Sequence, residues 1–273
     1  MFFRFELSLG LLIALALMAS GHEPKAPLRE LKVCADPNNL PFSNRQGEGF
    51  ENKIASVIGA DLGLPVRYTW WPQRRGFLRN TLNFGRCDVV LGVPAGFAAV
   101  LATRPYYRST YVFVTRRDRG VLIRSLDDSV LHSLRIGIQV EGDDHQSSPA
   151  AQALARRGLA ANVVGYSPYG DYAKPNPPAD LIDAVADRSV DLGIARGPLA
   201  GYLADRSPIP LKLTPVTPEI DPPATQFAFD IVAGVRRGDA SMRDRVQGAL
   251  DRHGTEIRDI LESYGVPLLG GGN

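Results

Sequence analysis

The chain has 273 residues, 44% hydrophobic and 22% charged, with a formal net charge of +2. This is ordinary globular composition, enough for real cores in about two domains. Its mild charge gives no reason to expect nucleic acid or an anionic membrane as partner.

The N-terminus differs from the rest. "MFFR" is a short basic start, and "LSLGLLIALALMAS" is apolar but too short to span a bilayer comfortably. Ala19 and Gly21 follow with the spacing of a cleavage site. Residues 1–21 therefore read as a signal peptide, with an uncleaved anchor as the alternative. No Cys directly follows the apolar run, which argues against a lipid anchor. No later segment is apolar enough to cross a bilayer, so a mature, exported chain is expected from about His22 onward.

Strand and helix signals then alternate. "LKVCA" is a strand. "ENKIASVIGADLG" carries Ile54, Val57, Ile58 and Leu62 on one helical stripe, with Gly63 as stop. "VRYTW" alternates as a strand, and Phe77, Leu78, Thr81 and Leu82 make a short amphipathic helix ended by Gly85. "CDVVLGV" is a continuous apolar run, as expected of a strand covered on both faces. This β-α-β-α-β series predicts a parallel sheet with right-handed crossovers.

"STYVFVTRR" is a strand that leaves this unit, and the same grammar restarts at "LRIGIQ". "SPAAQALARRG" is a helix, "NVVGY" a strand, "PADLIDAVADRSV" a helix and "DLGIARGP" a strand with its tip. A strand near Phe227 to Val232 precedes one long helix from about Ala240 to Tyr264. The expectation is an α/β protein of two Rossmann-like lobes joined by two crossing strands. Lobe 1 takes residues 30–113 and 226–265, and lobe 2 takes residues 114–225.

In open α/β sheets ligands sit outside the carboxyl ends of the strands, so the strand tips nominate the site. The first tip offers Asp36, Asn38, Asn39 and Phe42, with Glu51 at the following helix start. The second offers Trp70 and Trp71, then Arg74 and Arg75 at another helix start. Successive strand residues point to opposite faces, so at most one tryptophan easily enters a core. The other is then placed to stack on a flat ligand or dock a partner, with guanidinium donors beside it. Packing of Trp70 under the first helix, with solvated arginines, is the competing reading. The third tip ends at Pro94, and the second unit presents Gln139 and Arg196. Tyr106 and Tyr107, in "TRPYYRSTY", form either an aromatic hinge wall or a structural turn.

Glu141, Asp143, Asp144 and His145 could gather a hard cation, but a helix-start loop also favours such residues. No histidine has zinc spacing, and neither a nucleophile elbow nor a phosphate-binding loop is present. No cofactor, metal or catalytic residue is expected, although Asp36 or Glu51 could serve a lyase on this scaffold. Cys34 and Cys87 form an even pair in an exported chain, which invites a disulfide. Placing both in parallel neighbouring strands would offset them by several residues at about 3.3 Å each, which opposes it. The pairing stays open.

"LKVCADPNNLPFSN", "YTWWPQRRGF", "GRCDVVLGVP", "TRPYYRSTYVFVTR" and "VDLGIARGPLAGYLA" resemble the MxaJ/XoxJ proteins of methanol oxidation, within the type II solute-binding fold. The resemblance runs from about Leu31 to Tyr264. It implies a two-lobed periplasmic protein whose partner is a PQQ-dependent methanol dehydrogenase, with the Trp-Trp-Pro-Gln-Arg-Arg wording leaning toward the XoxJ side. Amino-acid-binding relatives of that fold carry a Thr and an Arg after the third strand to hold a carboxylate. Here Pro94 and Ala95 stand in that turn and the next arginine is Arg104. A solute-binding role for a small anionic or aromatic ligand such as PQQ is the alternative.

Overall fold

The computed structural model describes residues 29–140, 148–168 and 179–270. The expected signal peptide and the Glu141–His145 cluster lie outside the described residues.

The first half begins with β1 (Leu31–Ala35), a small hairpin of β2 (Asn38–Asn39) and β3 (Ser43–Asn44), and α1 (Phe50–Asp61). It continues with β4 (Val66–Trp70), α2 (Phe77–Asn80), β5 (Val89–Pro94) and β6 (Leu101–Ala102). β7 (Tyr107–Arg116) leads to β8 (Ile136–Gln139), α3 (Pro149–Arg156), β9 (Val163–Tyr166) and α4 (Asp180–Ala186). Then come β10 (Leu192–Arg196), α5 (Gly197–Ala204), β11 (Leu211–Pro215), β12 (Ile220–Asp221) and β13 (Thr225–Gln226). β14 (Ala228–Val235), α6 (Ala240–Arg252) and α7 (Gly254–Ser263) complete it.

One mixed sheet runs through the molecule in the order β4-β1-β5-β14-β7-β10-β8-β9. β1 pairs in parallel with β4 and β5, and β8 with β9 and β10. Two antiparallel strands join these sets. β14 pairs with β5 and with Tyr107–Thr110 of β7, whereas Tyr111–Arg116 of β7 pair with β10 or β11.

The apolar runs are buried as their patterns predict. α1 turns Phe50, Ile54 and Ile58 onto the sheet, where they meet Val246 and Leu250 of α6 and Ile257 and Leu261 of α7. The opposite face of the same strands carries a smaller core around Cys34, Phe77, Leu82 and Val232. In the second half, Leu154 of α3 lies in the core of Ile136 and Ile138, and α4 packs Leu181 and Val185 near Val112 and Val114.

Several expected elements differ. The long C-terminal helix is two helices, broken at His253, whose ring nitrogens meet Asp61 at 3.2 Å and Glu256 at 2.9 Å. α2 is a single turn; Thr81 donates its hydroxyl hydrogen to the Phe77 carbonyl at 2.7 Å as the helix ends. α5, rich in small and apolar residues without a narrow stripe, and β11 were not legible as elements.

Cys87 does not open β5, which starts at Val89; Cys87 ends the preceding turn. That turn carries it over Cys34, with 5.5 Å between the Cα atoms, and the two are joined by a disulfide. The extended geometry that opposed a bridge is therefore absent.

The C-terminal tail crosses the back of the molecule. Gly265 lies so close to Gly201 of α5 that a Cβ on Gly201 would sit 1.8 Å from the Gly265 carbonyl oxygen. The Ser109 hydroxyl donates to the Pro267 carbonyl at 2.8 Å, and Leu268 bridges Ser109. Tyr264 stacks on Tyr202 of α5 at 5.9 Å and donates its hydroxyl hydrogen to the Glu48 carbonyl.

Candidate functional site

A cleft of about 250 Å³ opens where β5, β14 and β7 meet the tip of β10. Phe42, Pro94, Tyr107, Tyr111 and Phe229 give it an aromatic and apolar wall, and Arg196 supplies a guanidinium. The strand register explains the grouping. Tyr107 faces Ile231 and Ser109 faces Phe229 across the β7–β14 pair, so these residues share one sheet face. Tyr111 continues that alternation and touches the Phe229 ring at 6.1 Å. Arg196 lies at the start of α5 and has no acidic side-chain partner among the described residues.

Beside the cleft, Gly92 has φ of +70° in β5, a conformation that favours glycine. A Cβ there would meet Glu51 Oε1 at 2.0 Å, so the missing side chain is what lets the carboxyl approach. The Gly92 N–H donates to the Tyr106 hydroxyl oxygen at 3.1 Å. Glu51 lies in the first turn of α1, where the helix dipole favours a negative charge. Burial outweighs that: enclosure first, and the charge of Asp36 second, push its carboxyl up to about 8. Burial also raises Tyr106 and Tyr107 well above the usual phenol range, with Tyr107 and Glu51 contributing at Tyr106 and Glu51 at Tyr107. At neutral pH this corner is a neutral hydrogen-bonding surface beside an aromatic cleft.

Asp36 is a buried tie between loops. It accepts from the Asn38 N–H at 2.8 Å and the Gln73 N–H at 2.6 Å, while its carbonyl takes the Ser43 hydroxyl. Asn39 donates to the Gln73 side chain at 3.3 Å. Asp36, Asn38 and Asn39 thus lie in the ties that fasten the ends of β1 and β4.

The tryptophans point to opposite faces of edge strand β4. Trp70 stacks on Tyr68 at 4.6 Å with the Arg45 guanidinium 5.9 Å from its ring. Trp71 packs against the disulfide core, with Arg86 5.8 Å from its ring. Both are partly buried, and neither lines the aromatic cleft. Arg74 and Arg75 line a second, open groove of about 500 Å³ that shares Gly92 and Pro94 with the cleft. Gln139, at the end of β8, is buried, and its amide nitrogen and oxygen have no hydrogen-bond partner among the described residues.

The structure therefore gathers Phe42, Pro94, Tyr107 and Arg196 in one cleft, with Glu51 and Tyr106 beside it. The strand-tip rule did not reach Phe229 and Ile231, which come from a crossing strand; the alternation of Ala228–Val235 carried the only signal. Among the described residues, no group of three or more His, Cys, Asp or Glu side chains could hold a metal ion. No described helix is long and apolar enough to cross a membrane.

No family model matches the chain. It is 32% identical over 247 residues to Protein MoxJ of Methylorubrum extorquens, covering 88% of this chain and 81% of that protein. It is 31% identical to Protein MoxJ of Paracoccus denitrificans, covering 93% and 94%. The crystal structure of the periplasmic binding protein XoxJ from Methylobacterium extorquens superposes with a TM-score of 0.71 at 33% identity, covering 88% of this chain and all of that one. MxaJ from Methlophaga aminisulfidivorans superposes with a TM-score of 0.76 at 25% identity, covering 88% and 100%. The same type II fold appears, at 17% identity and a TM-score of 0.67, in an ancestral cationic amino acid solute-binding protein.

Proposed function

Because the chain belongs to the MoxJ family of periplasmic binding proteins, we propose that it is a periplasmic accessory protein of methanol oxidation. In this reading it docks on a PQQ-dependent methanol dehydrogenase, of the lanthanide-using XoxF type, and assists its maturation or activation. It acts as a binding protein and not as an enzyme.

The observation that carries this reading is the cleft lining. A solute-binding protein that takes amino acids needs paired charge to hold a carboxylate and an ammonium group. This cleft offers aromatic rings and Arg196, while Glu51 beside it is held neutral around pH 7. Tyr, Phe and Arg in a concave surface are the residue types enriched where proteins meet. The lobe boundaries at residues 113/114 and 225/226 belong to this proposal, since they place the cleft between the two parallel sets.

The test is titration of the purified mature protein against the dehydrogenase, with and without its quinone. A complex at micromolar concentration or tighter is expected, weakened at least tenfold by Tyr111→Ala with Phe229→Ala. No complex with either form overturns the reading. Arg196 beside flat rings favours a second occupant, an aromatic polycarboxylate such as PQQ. If that occupant binds, saturation at a hundredfold excess over its dissociation constant stabilises the protein by about 2.7 kcal/mol. Unchanged melting removes it.

A further inference from the structure

Away from the cleft, many arginines pair with acidic side chains. Arg104 pairs with Asp251 at 2.5 Å, Arg116 and Arg188 with Asp118, Arg157 with Asp221 and Asp127, and Arg252 with Asp61. The stretch from β4 to β5 departs from that habit. Arg75, Arg79 and Arg86 are exposed and have no acidic side-chain partner among the described residues. Arg75 and Arg79 line the open groove with Phe77, Leu78, Pro94 and Phe97. Arg86 continues the surface, its guanidinium 5.8 Å from both the Trp71 and Phe84 rings.

A second observation falls at the same place. Among the described residues four large hydrophobic side chains are exposed, and two of them flank these arginines: Phe84 at 70% and Phe97 at 50%. Guanidinium groups without acidic partners stand here between exposed rings, a mixed cationic and apolar surface. They are also what a protein interface with carboxylates opposite would use, since arginine donates in a planar fork and stacks on rings. The platform beneath is rigid. The Cys34–Cys87 disulfide fixes the turn, and Phe77, Leu82 and Val93 anchor it from below.

We propose that the groove lined by Arg75, Arg79 and Phe97, extended by Phe84 and Arg86, docks a carboxylate-rich segment of a protein partner. Resting on the reading above, that partner is the methanol dehydrogenase, and the arginine face is where the two proteins first engage. The aromatic cleft, which shares Gly92 and Pro94 with the groove, adjoins the same contact. Long-range attraction to the exposed guanidinium groups speeds encounter, and the rings supply apolar contact once water is displaced.

The experiment measures the association rate and dissociation constant for the dehydrogenase at low and physiological salt. It compares the wild type with Arg75→Glu/Arg79→Glu and with a Lys53→Glu/Lys212→Glu control of equal net charge. Melting temperatures verify that each variant is folded; Arg75→Gln/Arg79→Gln replaces the reversal if it is not. The arginine variant is expected to bind at least tenfold more weakly and to lose most of the salt dependence, with the control within twofold of wild type. Equal weakening in both variants, or none in either, overturns the groove as a docking surface while leaving the partnership standing. Absence of any wild-type complex overturns the partnership and the groove's role in it together.

Discussion

Two acidic residues of this protein, one buried and one partly covered, are treated in opposite ways. Asp221, 1% exposed on β12, meets Arg157 at 2.6 Å and also Arg156, which reaches Thr225 as well. The Arg157 hydrogen bonds hold its carboxyl below the usual range against the pull of burial, with Arg156 assisting. Glu51 has no ion-pair partner among the described residues and a negative neighbour in Asp36, and burial first and Asp36 second raise its carboxyl to about 8. Desolvation is common to both; only the partners differ. The ion cluster fastens the β12–β13 corner to α3. The neutral carboxyl leaves a hydrogen-bonding group next to an aromatic cleft.

Removing one side of the Asp221 cluster should have the largest effect. Asp221→Ala removes the acceptor shared by two arginines, which keep Asp127 and Thr225, and is expected to cost about 2–3 kcal/mol in denaturant unfolding at pH 7. Because the folded state holds this carboxyl below its unfolded value, the stabilisation is present throughout neutral pH and fades only in acid. Near-wild-type stability would mean the cluster is not closed in solution.

The Glu51→Gln effect should be smaller and grow between about pH 4.5 and 8. A raised folded value means that wild-type stability is complete below about pH 4.5 and declines as pH climbs to about 8. Gln mimics the neutral acid, so the variant should match wild type near pH 4.5 and exceed it at pH 8.5 by roughly 2 kcal/mol, below the ~5 kcal/mol of a fully buried acid because the side chain is partly exposed. Parallel stability profiles across that range would place a counter-charge beside Glu51. Arg156→Gln should be the mildest, about 1 kcal/mol, because Arg157 still holds the carboxylate with two hydrogen bonds.

The contrast also shows what the sequence could and could not convey. Apolar runs such as Val89–Val93 and the stripe of Ile54 and Ile58 announce their elements because burial there follows the local period. Phe42, Pro94, Tyr107 and Arg196 were reachable because they sit at strand ends. The opposite faces of Trp70 and Trp71 followed from strand alternation, but that β4 is the sheet edge, with both rings away from the cleft, did not. Glu51 was placed in the site, yet the room for its carboxyl depends on Gly92, which lies 41 positions further along. The role of Asp36 as a loop tie rests on Gln73, also remote in sequence. The disulfide was left open because one turn before Val89 alters the path of Cys87. The helix break at His253 arises from Asp61, a partner on α1.

The tail from Gly265 to Leu269 is a seam sewn across the spine of the protein. It joins α7 to α5 through two facing glycines, and it binds Ser109 and Arg108 of the strand between them. Prising the halves apart would have to unpick those stitches and pull Tyr264 off Tyr202 at the same time. Loosening that seam costs several ties at once, so the stitching keeps α5, α7 and the strand they share in one register.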